Sequence, residues 1–419
     1  MHIGIAGPLG TPDIEHLFYG GDTSHLPREM KGATLLVSLI EALILDGHEV
    51  TAFTADSALV PRRQSRVIAR GYKFTVYYVP RRRHSLRSDR GASGRMLDFF
   101  ALERRALADA MREASPDIIH AHWTYEFAAA ALDTGLPCLV TCHDSPWAIL
   151  KMLPDLYRVG RLLMAKSVLR RVRHATVVSP YLVEELRSMT RASLSVVPNP
   201  LPNTVFAAQR TGGTRDFQVY HPQIAMLLNG WSFRKNPESG MLAMGALRAA
   251  YPSARMHLYG PDFGIGERAW QWAVEHHMED AFVFHGWTPY AQTMHELAEM
   301  DILLHPAREE SFGMTIAEAM ALGVPVVAGS DSGAVPWVLG MEDGGGMLVD
   351  IRSPKKIAEA MLTILDDPAL YARYATQGRA RALKRFSASA VAQVYLEHYR
   401  RVLEDAGVTS TARCNQVSV

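Results

Sequence analysis

One feature restricts the possible folds more than any other: short apolar runs alternate with helical patterns along the whole chain. In the first half the runs are HIGIAG (2–7), HEVTAFTA (48–55), FTVYYVP (74–80), DIIHAH (117–122), CLVTCH (138–143) and ATVVSP (175–180). Runs this apolar on both faces belong to parallel strands covered by helices on each side. The segment between the first two runs, LLVSLIEALILDG (35–47), reads as a helix closed by Gly47. At VVPNPLPNTVFAAQRTGGTRDFQVYHP (196–222) the pattern stops and Pro, Gly, Asn and Thr accumulate, as in an interdomain link. A second alternation follows at 224–230, 255–260, 281–286, 301–306, 324–329 and 346–350.

The fold class expected is therefore α/β, with two doubly wound domains in tandem, 1–205 and 206–387. A length of 419 residues suits two cores better than one. Helical patterns close the chain, and 406–419 reads as a frayed tail. Sheets of this kind bind ligands where the carboxyl ends of strands lead into helices. With two such domains, the expected site is an interdomain cleft.

A formal net charge of +1 argues against nucleic acid as a partner. The charge is uneven: residues 1–200 hold 25 Lys and Arg against 20 Asp and Glu, the remainder 19 against 23. Part of the excess lies in RVGRLLMAKSVLRRVR (158–173), where basic and apolar residues share helical spacing. Such a helix either packs one face on a core or makes peripheral contact with an anionic membrane. The three cysteines form neither a metal spacing nor a disulfide framework, as suits a reducing cytosol. MHIGIAG reads as a first strand rather than a signal peptide, and no apolar run approaches the ~20 residues that cross a bilayer. The expected location is the cytoplasm, with membrane association at most peripheral.

GxxxxGK[ST], HExxH and nucleophile-elbow motifs are all missing. GIAGPLG (4–10) has the wrong glycine spacing for a dinucleotide loop, and the first helix is expected only from about Gly32. His120 and His122 share a strand face, but no third metal ligand is near them in sequence.

The most informative stretch is AREESFGMTIAEAMALG (307–323). Thr315-x-x-Glu318 matches a capping box, and Gly323 with Pro325 stops the helix. Capping does not account for Glu309 and Glu310 ahead of the helix, or for Gly313, which would let a ligand approach the backbone. N–H groups after Phe312 would face an anion at the positive end of the helix, and flanking carboxylates would accept from neighbouring hydroxyls. That describes a ligand with phosphate at its centre and polyhydroxyl groups at its ends.

Glu310-x7-Glu318, followed by AMALGVPVVA, closely resembles the E-x7-E signature of the family-four retaining glycosyltransferases. The resemblance covers roughly 31–400 and implies the GT-B fold, two facing Rossmann-like domains, with the helix at about 388–405 packing back on the first. It implies that Glu310 contacts the transferred sugar, that Glu318 binds the nucleotide ribose, and that the backbone of Ser311, Phe312, Gly313, Met314 and Thr315 holds sugar and diphosphate. LLNGWSFRKNP (227–237) resembles the loop whose cations neutralise the diphosphate, which implicates Gly230, Lys235 and Arg234. The usual arginine position after the glycine is Trp231 here, so Arg234 would act from a shifted place. SGAVPWVL likewise puts Trp337 where relatives carry glutamate. KGATLLVSLIEALILDGHEVTAF and LVTCHDSPW imply Gly32, His143 and Asp144 on the acceptor side.

The expected function is retaining transfer of a sugar from a nucleoside-diphosphate sugar to a sugar, lipid-linked or small-molecule acceptor, in polysaccharide or glycoconjugate synthesis. Glu310, His143, Lys235 and Arg234 would carry the chemistry, without a metal or other cofactor. Two alternatives are a nucleotide-sugar epimerase or hydrolase of the same fold and a non-catalytic sugar-nucleotide binding protein.

Overall fold

The computed structural model describes residues 1–59, 66–88, 93–208, 221–341 and 343–408. The chain forms two compact units, Met1–Pro200 together with the chain from Ala388 onward, and Leu201–Ser387. The tail 409–419, including Cys414, and most of the glycine-rich part of the expected link (209–220) lie outside the described residues.

The first unit is built on β1 (His2–Ala6), β2 (Glu49–Asp56), β3 (Val67–Gly71), β4 (Phe74–Pro80), β5 (Ile118–His122), β6 (Cys138–Cys142), β7 (Ala175–Val177) and β8 (Leu194–Val196). They lie in the order β3-β4-β2-β1-β5-β6-β7-β8, all parallel except β3, which pairs antiparallel with β4. The apolar runs account for the six inner strands. β3 and β8 escaped that reading because they are the two edges: less covered, they carry half-buried residues. β8 also runs up to the stretch read as a link, sharing only Val196 with it. The helix Ala388–Asp405 belongs to this unit, where the Tyr399 hydroxyl meets His120 Nδ1 at 2.7 Å.

One local expectation is corrected. A helical turn, Thr11–Ile14, starts directly after Gly10, well before the helix Thr34–Leu45. Pro12 presets the helical φ, and Thr11 Oγ1 lies 2.9 Å from the Tyr78 hydroxyl, which ties the turn to β4. Four residues are too few to display a period.

The second unit holds β9 (Gln223–Leu227), β10 (Arg255–Tyr259), β11 (Phe282–Gly286), β12 (Ile302–His305), β13 (Val326–Gly329) and β14 (Gly346–Val349), all parallel, in the order β11-β10-β9-β12-β13-β14. Ile224, Met226, Ile302 and Leu304 pack against Met241, Met244, Ile357 and Met361 from the covering helices. The short helix Asn203–Ala207 belongs here because Arg379 donates to the carbonyls of Phe206 and Ala321, both at 2.7 Å. The division thus falls at Pro200, slightly before the expected 205. Strand order reverses between β9 and β12, and that point opens a crevice at the carboxyl ends of the two strands.

Candidate active site

Two loops meet at that reversal, 228–236 after β9 and 306–313 after β12. Asn236 ties them together. Its backbone is left-handed (φ 51°), and its amide donates to the carbonyls of Pro306 (3.0 Å) and Ile351 (2.9 Å). Its Oδ1 accepts from Arg308 Nη2 and Ser239 Oγ. Asn236→Ala would strand two buried carbonyls. An expected loss of about 2–4 kcal/mol in urea unfolding checks this, and a change within 0.5 kcal/mol would contradict the bridge.

This bridge sets Lys235 against Glu310, Nζ to Oε1 at 2.5 Å, although 75 residues separate them in sequence. His305, at the end of β12, places Nε2 3.2 Å from the same oxygen, and its Nδ1 lies 3.1 Å from Thr315 Oγ1. Burial would raise the Glu310 carboxyl, but Lys235 and His305 prevail and hold it well below the usual range. Arg234 Nη1 pairs with Glu309 Oε2 at 2.7 Å. Burial still raises Glu309, against the pull of Arg234. Both cations of the loop are therefore partnered by the two glutamates that open the next motif.

The helix Met314–Leu322 begins at Gly313, which is left-handed (φ 95°), and ends at Gly323. The capping box does not form: Gly313 takes the cap position and Thr315 is already inside the helix, where its hydroxyl turns to His305. Glu318 also turns away from the helix start. It is buried and accepts from the Tyr290 hydroxyl at 3.0 Å. Burial outweighs this bond and pushes its carboxyl up to about 7.

Phe312 is a packing residue by its side chain, edge-on to Phe386 (5.4 Å) and Trp337 (6.3 Å). Trp337 in turn lies under the Arg385 guanidinium. The tryptophan at the usual glutamate position thus belongs to an aromatic cluster. Trp231 behaves alike, packing near Phe263 and Trp272 beneath Arg268. Its backbone N–H donates to Asp262 Oδ2 at 2.9 Å, beside left-handed Gly230 (φ 84°).

In the first unit His143 follows β6. Its Nε2 lies 2.9 Å from His122 Nδ1, and the Trp123 ring lies tilted against it with centroids 4.3 Å apart. Burial holds the His143 imidazole down to about 3, against the opposing pull of Asn199, so it is neutral at physiological pH. Asp144 accepts from the Tyr125 hydroxyl at 2.8 Å. Both nitrogens of His120 are engaged, by Tyr399 and Thr141. Gly32 lies against Gly10, and Ala33 N donates to the Pro8 carbonyl at 3.0 Å. A Cβ at position 32 would stand 2.5 Å from the Gly10 nitrogen. Gly32→Ala should therefore cost about 1–3 kcal/mol, read as a lowered Tm; an unchanged Tm would contradict the close approach.

Among the residues named from sequence, the structure brings Arg234, Lys235, Glu310 and Thr315 together. Glu318 lies on the same helix with a separate partner. Sequence reading missed Asn236, His305 and Tyr290, which position those groups; His122, weighed there only as half of a metal pair, instead meets His143. Only Asn236 carried a signal, as the Asn-Pro that opens the next helix.

Two Rossmann-like units of this topology, with a cation loop and a glutamate-flanked helix at the switch point, define the GT-B class of sugar-transferring enzymes. The profile described as Glycosyltransferase Family 4 matches residues 32–203, and that described as Glycosyl transferases group 1 matches 222–381. The chain belongs to the family-four glycosyltransferases.

A D-inositol 3-phosphate glycosyltransferase of Kineococcus radiotolerans is 40% identical over 114 residues; the match spans a quarter of each chain. An N-acetyl-alpha-D-glucosaminyl L-malate synthase of Bacillus anthracis is 24% identical over 72% of this chain and 80% of that protein. The solved Anabaena protein Alr3699/HepE, in complex with UDP-glucose, superposes with a TM-score of 0.66 at 17% identity, covering 98% of this chain and all of that one. No helix among the described residues is long and apolar enough to cross a membrane.

Proposed function

We propose that the protein transfers a sugar from a nucleoside-diphosphate sugar to an acceptor hydroxyl with retention of anomeric configuration. The observation that carries this reading is the buried Lys235–Glu310 pair at the β9/β12 switch point, beside the start of the helix Met314–Leu322. In this structure Lys235 and Glu310 satisfy each other. A bound donor would exchange them: diphosphate oxygens take Lys235 and the open helix N–H groups, and sugar hydroxyls take Glu310. Arg234 would add charge once released from Glu309, and Glu318 would accept from the ribose.

The diphosphate leaves first. One of its oxygens accepts the proton of the acceptor hydroxyl, which attacks the anomeric carbon from the same face. The bond from the anomeric carbon to the leaving oxygen is thus largely broken before the new glycosidic bond forms on that face. Lys235, Arg234 and the helix start stabilise the charge that develops, so the proposed chemistry calls for no metal. On the first unit, His143 and Asp144 would act as hydrogen-bonding groups toward sugar or acceptor, and the loop at Gly32 would contribute to the acceptor side. A neutral His143 suits that role better than proton transfer.

The UDP-glucose of the Anabaena complex supports a nucleotide-sugar donor, and the named activities of the two relatives support small hydroxylated acceptors. The test is a screen of UDP-, GDP- and ADP-sugars against such acceptors, with the product anomer read by NMR. An inverted product would overturn retention. Transfer by folded Glu310→Gln at near the wild-type rate would overturn the assignment of Glu310.

A further inference from the structure

The helix Leu156–Arg171 turns a stripe of large apolar side chains outward instead of into the core. Leu162, Met164, Ala165, Val168 and Leu169 are buried, whereas Leu156 (78% exposed), Val159 (41%) and Leu163 (51%) point away. Positions 156, 159 and 163 share one helix face, and the same face continues through exposed Lys166 and Arg170. No other helix among the described residues exposes three large apolar side chains.

Two neighbouring segments extend the patch. The helix Pro146–Met152 packs on this one and exposes Trp147 (43%), with Lys151 Nζ 5.1 Å over its ring. The loop before the helix Ala101–Ala114 docks through buried Met96 against Gly160 and leaves Leu97 exposed beside it. Among the described residues no carboxylate pairs with Lys151, Lys166, Arg170 or Arg173, in contrast to Arg158 and Arg171, which pair with Asp155 and Asp133. The surface is therefore apolar at its centre and basic at its margin, with its cations uncompensated.

We propose that this face of the first unit docks on an anionic lipid bilayer. Leu156, Val159, Leu163 and Trp147 would enter the headgroup boundary, and Lys151, Lys166 and Arg170 would meet lipid phosphates. The charge complementarity selects this occupant: a second copy of the same patch would bring like charges together. Each cation at an anionic surface contributes on the order of a fivefold change in partitioning at moderate salt.

The experiment is cosedimentation of the full chain with vesicles of phosphatidylcholine alone or mixed with phosphatidylglycerol. Strong binding is expected only with phosphatidylglycerol, weakening as salt rises. Leu156→Ser with Leu163→Ser, and separately Lys166→Glu with Arg170→Glu, should each lower the partition coefficient at least tenfold. All these side chains are exposed, so both variants should keep the wild-type Tm. Wild-type binding below the detection limit at low salt would overturn the proposal. So would equal binding to both vesicle types, or a concentration-dependent dimer that the leucine variant abolishes.

Discussion

Lys235→Ala is expected to lower kcat by about 10²–10³-fold, because the substitution removes the cation best placed for the departing diphosphate. Lys235 is only 8% exposed, so water screens its charge weakly. The same substitution leaves the Glu310 carboxylate buried beside His305 alone, which costs about 3–5 kcal/mol of stability. A loss of activity could then reflect unfolding. Combining it with Glu310→Gln separates the two: the double variant removes both charges, so most of the stability returns while activity stays low. Urea unfolding and steady-state kinetics on the three variants check this. A Lys235→Ala enzyme that is folded and within threefold of the wild-type kcat would remove Lys235 from the mechanism.

Glu318→Gln is expected to stabilise the ligand-free protein at alkaline pH and to do little in acid. In the folded chain burial raises this carboxyl from 4.5 to about 7. The folded state thus favours the protonated form. Its contribution to stability is complete below pH 4.5 and disappears as pH rises through 7. A shift of this size corresponds to about 3 kcal/mol. Urea unfolding at pH 5 and pH 8.5 should show the variant gaining roughly that amount only at the higher pH, since glutamine can still accept from Tyr290. UDP or GDP should flatten the wild-type dependence if ribose hydroxyls donate to the ionised carboxylate. A wild-type profile unchanged by either nucleotide would place the ribose elsewhere.

Several parts of this site were legible because they depend on neighbours in sequence. The strand at 324–329 and the helix closed by Gly323 follow from apolar spacing and a residue that tolerates the left-handed cap. The tandem α/β organisation follows from runs apolar on both faces. The edge strands β3 and β8 lacked that signal because they are less covered. The capping box was a reasonable local reading of Thr315 and Glu318, but it failed once Gly313 took the cap and both side chains found distant partners, His305 and Tyr290.

By itself the sequence determined the class of fold, the position of the glutamate-flanked helix start, and the identity of the residues proposed to bind a phosphate and hydroxyls. Periodicity and glycine placement are local properties, read within a few residues. Only the tertiary structure decided which charges meet. Lys235 reaches Glu310, and Asn236 reaches Pro306, because β9 and β12 lie side by side where the strand order reverses. It also decided that Glu318 is buried beside a hydroxyl and His143 beside another imidazole, and burial is what sets their protonation. Strand order and burial arise from packing of the whole unit, and no short stretch of chain encodes them.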